Sequence, residues 1–173
     1  MKTSTRIQLA LMMFLNFFVW GIWFVTMGTF LSTQLGAGGV EIGLAYGTQS
    51  LGAIVAPFII GLIADKYFAA QRILGILHLT GGFLLYYLSS QANFNTFYPY
   101  LLTYMIIYMP TLALVNAIAF KQMASPEKEF SAIRVWGTIG WIASGLLIGW
   151  LALETTDSLD QTFKIAALVS LVL

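Results

Sequence analysis

Five stretches of this chain are each long and apolar enough to cross a lipid bilayer, and that limits the fold more than any other feature of the sequence. A spanning helix needs ~20 mostly apolar residues. The five run over residues 7–35, 42–64, 73–90, 98–120 and 133–153, and a sixth begins near Phe163. Only 9% of the 173 residues are charged, against about 25% in a soluble domain. So little charge cannot cover a soluble globule, and the expected class is all-α, a polytopic bundle of membrane helices. The sixth run ends at Leu173, at about half the length of a span. The expectation is therefore one N-terminal six-helix bundle over 1–173, with its sixth helix cut short and a C-terminal half absent.

The charges that remain alternate from loop to loop. Lys2 and Arg6 precede the first span; Lys66 and Arg72 lie between the second and third; Lys121, Lys128 and Arg134 flank the turn between the fourth and fifth. The opposite loops carry Glu41, Glu154, Asp157 and Asp160, with Lys164 as their one cation. The bias of Lys and Arg places the N-terminus in the cytoplasm, in what is expected to be a bacterial inner membrane. The first apolar run far exceeds the ~7–15 residues of a signal-peptide core, so it reads as a retained span.

Several function classes fall away. A net charge of +1 gives no nucleic-acid footprint. Cysteine is absent and His78 is the single histidine, so no metal site is expected. No nucleophile–base pair is visible, so neither an enzyme nor a cofactor is expected.

The polar and aromatic residues inside the spans are the candidates for function. Asn16, Trp20, Trp23 and Met27 fall at i, i+4, i+7 and i+11 of the first span and share a face. That stripe is either a packing surface or the lining of a cavity in which a ring stacks on a planar ligand. Gln49, Asn116 and His78 are polar at membrane depth, where interhelical hydrogen bonding is the ordinary role. In the fifth span Arg134, Thr138 and Trp141 lie at i, i+4 and i+7. Gly137 and Gly140 beside them permit close approach of a neighbour, and Gly145 and Gly149 continue the small-residue pattern. Arg134 is either an anchor reaching to the headgroups or a ligand contact.

The junction "GLIADKYFAAQR", residues 61–72, ends the second span with Asp65 and Lys66. Its G-x-x-A-D-K spacing resembles the cytoplasmic loop signature of the major facilitator superfamily. That implies a conformational latch of Asp65, Lys66 and Arg72, although Phe68, Ala69 and Ala70 replace the glycine and basic residues usual after it. Three further segments occur in order: "FLNFFVWGIWFVTMGTFL" at 14–31, "YMPTLALVNAIAF" at 108–120 and "IRVWGTIGW" at 133–141. Together they resemble the nucleoside–proton symporter family of that superfamily, over essentially the whole chain. The resemblance implies proton-coupled nucleoside uptake by alternating access, with nucleoside, protons, the bilayer and the C-terminal half as partners. It also implies that Arg134 and Thr138 contact nucleoside, with Trp141 in an aromatic position often held by phenylalanine. Another small polar solute such as a sugar, or a membrane anchor or sensor without transport, are the competing expectations.

Overall fold

The computed structural model describes residues 2–64 and 69–173, and within them every side chain except those of residues 59 and 61–64. The order is α1 (Thr3–Phe24), α2 (Met27–Gln34), α3 (Gly39–Ala64), α4 (Ala70–Leu88), α5 (Phe94–Gln122), α6 (Pro126–Trp150) and α7 (Asp160–Ser170). No strand occurs among the described residues. Three stretches among the described residues are long and apolar enough to cross a membrane: Thr3–Gln34, Phe94–Gln122 and Pro126–Trp150. Helix α4 is diluted by polar residues such as Gln71, Arg72 and His78.

Helix ends explain where the apolar runs and the helices differ. Helix α5 starts at Phe94, ahead of the apolar run, because the Asn93 side chain caps it by accepting from the Thr96 N–H at 3.0 Å. Helix α6 starts seven residues before its run. Pro126 supplies a fixed φ in the first turn. The Glu129 carboxylate accepts from the backbone N–H groups of Ala124 and Ser125 at 3.1 and 3.2 Å. At 25 residues, α6 is ~37 Å long and exceeds the ~30 Å hydrocarbon core.

The first span is not one continuous helix. It breaks at Val25 and Thr26, between α1 and α2. The break is stitched from α3: the Tyr46 hydroxyl accepts from the Gly28 N–H at 3.1 Å and donates to the Phe24 carbonyl at 3.3 Å. Two backbone groups near an interruption would otherwise lack partners where no water can supply them.

Helix α1 is central, packing on α6, α7 and α5, while α5 also holds α3 and α4. Glycines set the closest approaches. A Cβ at Gly140 would strike the Phe14 backbone, and one at Gly52 would strike the backbone of Met105. Gly21 fits against Trp141 and Ser144. Arg6 lies beside Lys128 near the start of both helices and Gly21 against Ser144 near their ends, so α1 and α6 run parallel. The small-residue contact ends there: Gly145 and Gly149 have nothing within 4 Å of an added Cβ, so they do not extend the interface as their spacing suggested.

One end of the bundle brings Arg6 beside Lys128 and Glu129. At the opposite end the Gln34 amide donates to the Asp157 carbonyl at 2.7 Å. The charge alternation seen in the sequence therefore sorts to two ends of one object.

Two neighbouring substitutions on α6 separate these environments. Gly140→Ala forces the α1 backbone away and should cost about 1–3 kcal/mol. Gly145→Ala should be neutral or stabilising, because alanine favours helix by up to ~1 kcal/mol where space is open. Thermal unfolding of the detergent-solubilised variants measures both, and equal effects would contradict the packing described.

Candidate functional site

The residues singled out by the sequence converge on α1 and α6, with α5 and α4 behind them. Trp20 and Trp141 meet edge to face, ring centroids 5.1 Å apart at 84°. Trp20 also touches Phe24 at 5.4 Å, Tyr108 at 6.1 Å and Phe17 at 6.3 Å. Trp20 and Trp141 are half-buried and Thr138 is exposed, so the cluster presents an open face rather than a closed core. Such rings offer flat apolar surface and, through the indole, a donor.

Arg134 sits in this face. It lies eight residues after Pro126, ~12 Å along the helix. Its Cζ is 4.2 Å from the centroid of the Phe17 ring. Among the described residues it has no carboxylate partner. Thr138 is one turn further and Trp141 nearly two, so a cation, a hydroxyl and an indole succeed one another along one strip of α6.

Behind the rings lies a polar pin. Asn16 is fully buried. Its Oδ1 is 2.9 Å from His78 Nε2 on α4, and because a carbonyl oxygen only accepts, the imidazole proton sits on Nε2. The Tyr108 hydroxyl on α5 donates to the Asn16 backbone carbonyl at 2.6 Å. One residue of α1 thus ties two other helices. Asn16 Nδ2 and Trp20 Nε1 are buried without an acceptor, so the cluster holds two unused donors one helical turn apart.

Two expectations change here. Trp23 does not line the open face: it is fully buried against Tyr104 at 5.5 Å and Phe163 of α7 at 5.5 Å. Three residues beyond Trp20, it points to the α7 side, and Met27 beyond the break is buried too. Asn16 is a structural tie, with only its amide nitrogen uncommitted. Of the expected latch, Asp65 and Lys66 lie outside the described residues, and Arg72 is exposed near the start of α4. Phe17, Phe24 and the pairing of His78 with Asn16 were not singled out from sequence. A lone amide and a lone imidazole at membrane depth in different spans were the available signal for the last.

The family model for nucleoside H+ symporters matches residues 1–173. The chain belongs to the nucleoside H+ symporter family. It is 45% identical over 151 residues to YegT of Escherichia coli (strain K12), covering 87% of this chain and 35% of that protein. It is 34% identical over 158 residues to the xanthosine permease of the same organism, covering 89% of this chain and 38% of that protein. The crystal structure of the nucleoside transporter NupG superposes with a TM-score of 0.91 at 28% identity, over 96% of this chain and 42% of that one. The chain thus spans well under half the length of the relatives it matches. Its fold is the all-α fold of a membrane transporter of the major facilitator type.

The polar pin makes its own prediction. Asn16→Ala leaves the buried His78 N–H without an acceptor and should cost roughly 1–2 kcal/mol. Replacing both residues, as Asn16→Ala with His78→Leu, should cost less than the sum of the single changes, because no donor is then stranded. Unfolding of the solubilised variants gives the comparison, and strict additivity would show that the two side chains act independently.

Proposed function

We propose that this chain is the N-terminal half of a proton-coupled nucleoside transporter of a bacterial inner membrane, with the N-terminus in the cytoplasm. The observation that carries the reading is the strip Arg134–Thr138–Trp141 facing Trp20 on an open surface, in a chain of this family. A nucleoside presents a planar base and several carbonyl and hydroxyl oxygens. Trp20 and Trp141 supply ring faces and edges for the base. Arg134 supplies planar N–H donors for base or sugar oxygens, and Thr138 adds a hydroxyl that donates or accepts. The remaining wall of the site belongs to the C-terminal half, and substrate binds between the halves in alternating access.

The seven acidic residues of this chain are Glu41, Asp65, Glu127, Glu129, Glu154, Asp157 and Asp160. The six described ones, all but Asp65, stand near helix ends or in loops, so the proton-carrying group lies in the other half. Asp65, Lys66 and Arg72 form the latch at the cytoplasmic end, made and broken as the halves rock.

Orientation is tested with single cysteines, since the chain has no native one. Ser125 and Ala92 are both exposed, at opposite ends of α5. Ala92 is preferred to Asn93, whose side chain caps the helix. Ala92→Cys should react with an impermeant thiol reagent added to intact cells, and Ser125→Cys should be protected; the reverse places the N-terminus outside.

Binding is tested at Arg134 in the full-length protein. Lysine keeps the charge but not the planar fork. Arg134→Lys should weaken uridine binding roughly ten- to over a hundredfold, the worth of a charged hydrogen bond, at normal membrane abundance. Thr138→Ala should weaken it less. Unchanged uridine affinity of Arg134→Lys, by equilibrium binding to purified protein, would return Arg134 to a membrane anchor.

A further inference from the structure

We infer that Phe17 is a positioning residue for this site, seating the Arg134 guanidinium so that its N–H groups stay available to ligand. The geometry has three parts. The Arg134 Cζ stands 4.2 Å from the Phe17 centroid. Gly137, on the next turn, leaves the space: a Cβ there would come within 2.7 Å of Phe17 Cδ2 and 2.8 Å of Arg134 Nη1. Phe17 in turn is braced by Trp20, with ring centroids 6.3 Å apart.

The reason for a ring in this place is chemical. A permanent cation ~12 Å into a helix needs something to face. A carboxylate would do this by taking two of the five guanidinium donors in a paired bond. An aromatic face stabilises the cation through its quadrupole and consumes no conventional hydrogen bond. Among the described residues no carboxylate reaches Arg134, and the ring does. The cation is thereby fixed in direction while its donors remain uncommitted. The α1–α6 packing that brings Phe14 against Gly140 also brings Phe17 under Arg134, so the seat is built into the helix interface.

The inference rests on the nucleoside reading only for its ligand. In the full-length protein, phenylalanine at position 17 is replaced by 4-fluoro-, 3,5-difluoro- and 3,4,5-trifluorophenylalanine. Fluorination drains the ring face of negative charge with little change of shape. Uridine affinity should fall stepwise, reaching roughly three- to tenfold for the trifluoro ring. A constant affinity across the series in a protein that binds uridine overturns the seat and leaves Phe17 as packing. A second readout needs no substrate. The side-chain N–H resonances of Arg134 should carry an upfield ring-current shift that disappears in Phe17→Leu; unshifted resonances in the unsubstituted protein overturn the seat as well. Absence of nucleoside binding with shifted resonances overturns the functional reading alone.

Discussion

The approach of α1 to α6 with almost no side chain between them is the constraint on which the rest depends. Gly140 meets the Phe14 backbone directly, and Gly21 accepts Trp141 and Ser144 from the other side. In a bilayer two helices gain nothing by hiding oily surface from each other, so close van der Waals packing has to hold them. The glycines set both the separation and the register. Once those are fixed, Phe17 falls under Arg134 and Trp20 falls against Trp141. The site is therefore a by-product of an interface set by glycines, which have no side chain to bind with.

The same interface resolves why an arginine is tolerated where it stands. An apolar run that begins at Ile133 makes Arg134 look like an edge residue. The helix begins two turns earlier, in a polar segment held by Pro126 and by the Glu129 carboxylate. Those two turns place Arg134 within the helix rather than at its start, on a strip shared with Thr138 and Trp141. The ring of Phe17 then meets the guanidinium from a neighbouring helix.

Much of this was legible in the sequence, and the rest was hidden for physical reasons. Apolar runs disclose helices because a bilayer demands them. They miss helix starts built from capping groups, which is why α5 and α6 begin early. Periodicity places Arg134, Thr138 and Trp141 on one strip, since that depends on one helix alone. It cannot say which neighbour a second face meets, and so Trp23 entered the core beside Phe163 while Trp20 stayed at the rim. The pairing of Asn16 with His78 lay below the sequence's horizon for the same reason: it depends on α1 and α4 together. Phe17 is one phenylalanine among many apolar neighbours, and only the geometry distinguishes it.

The single hydroxyl of Tyr46 has a mechanical consequence. It spans the interruption between α1 and α2, holding Gly28 on one side and Phe24 on the other. Any tilt of α2 against α1 changes the gap that this one oxygen bridges. Either a bond breaks, or the first two turns of α3 follow the tilt. An interruption that would otherwise be a free hinge is thereby geared to a second helix. Phe24, whose carbonyl accepts the hydrogen bond from that hydroxyl, also rests against Trp141 with ring centroids 6.4 Å apart. The Tyr46 hydroxyl, Phe24 and Trp141 thus form one unbroken line of contacts from the interruption to the aromatic face.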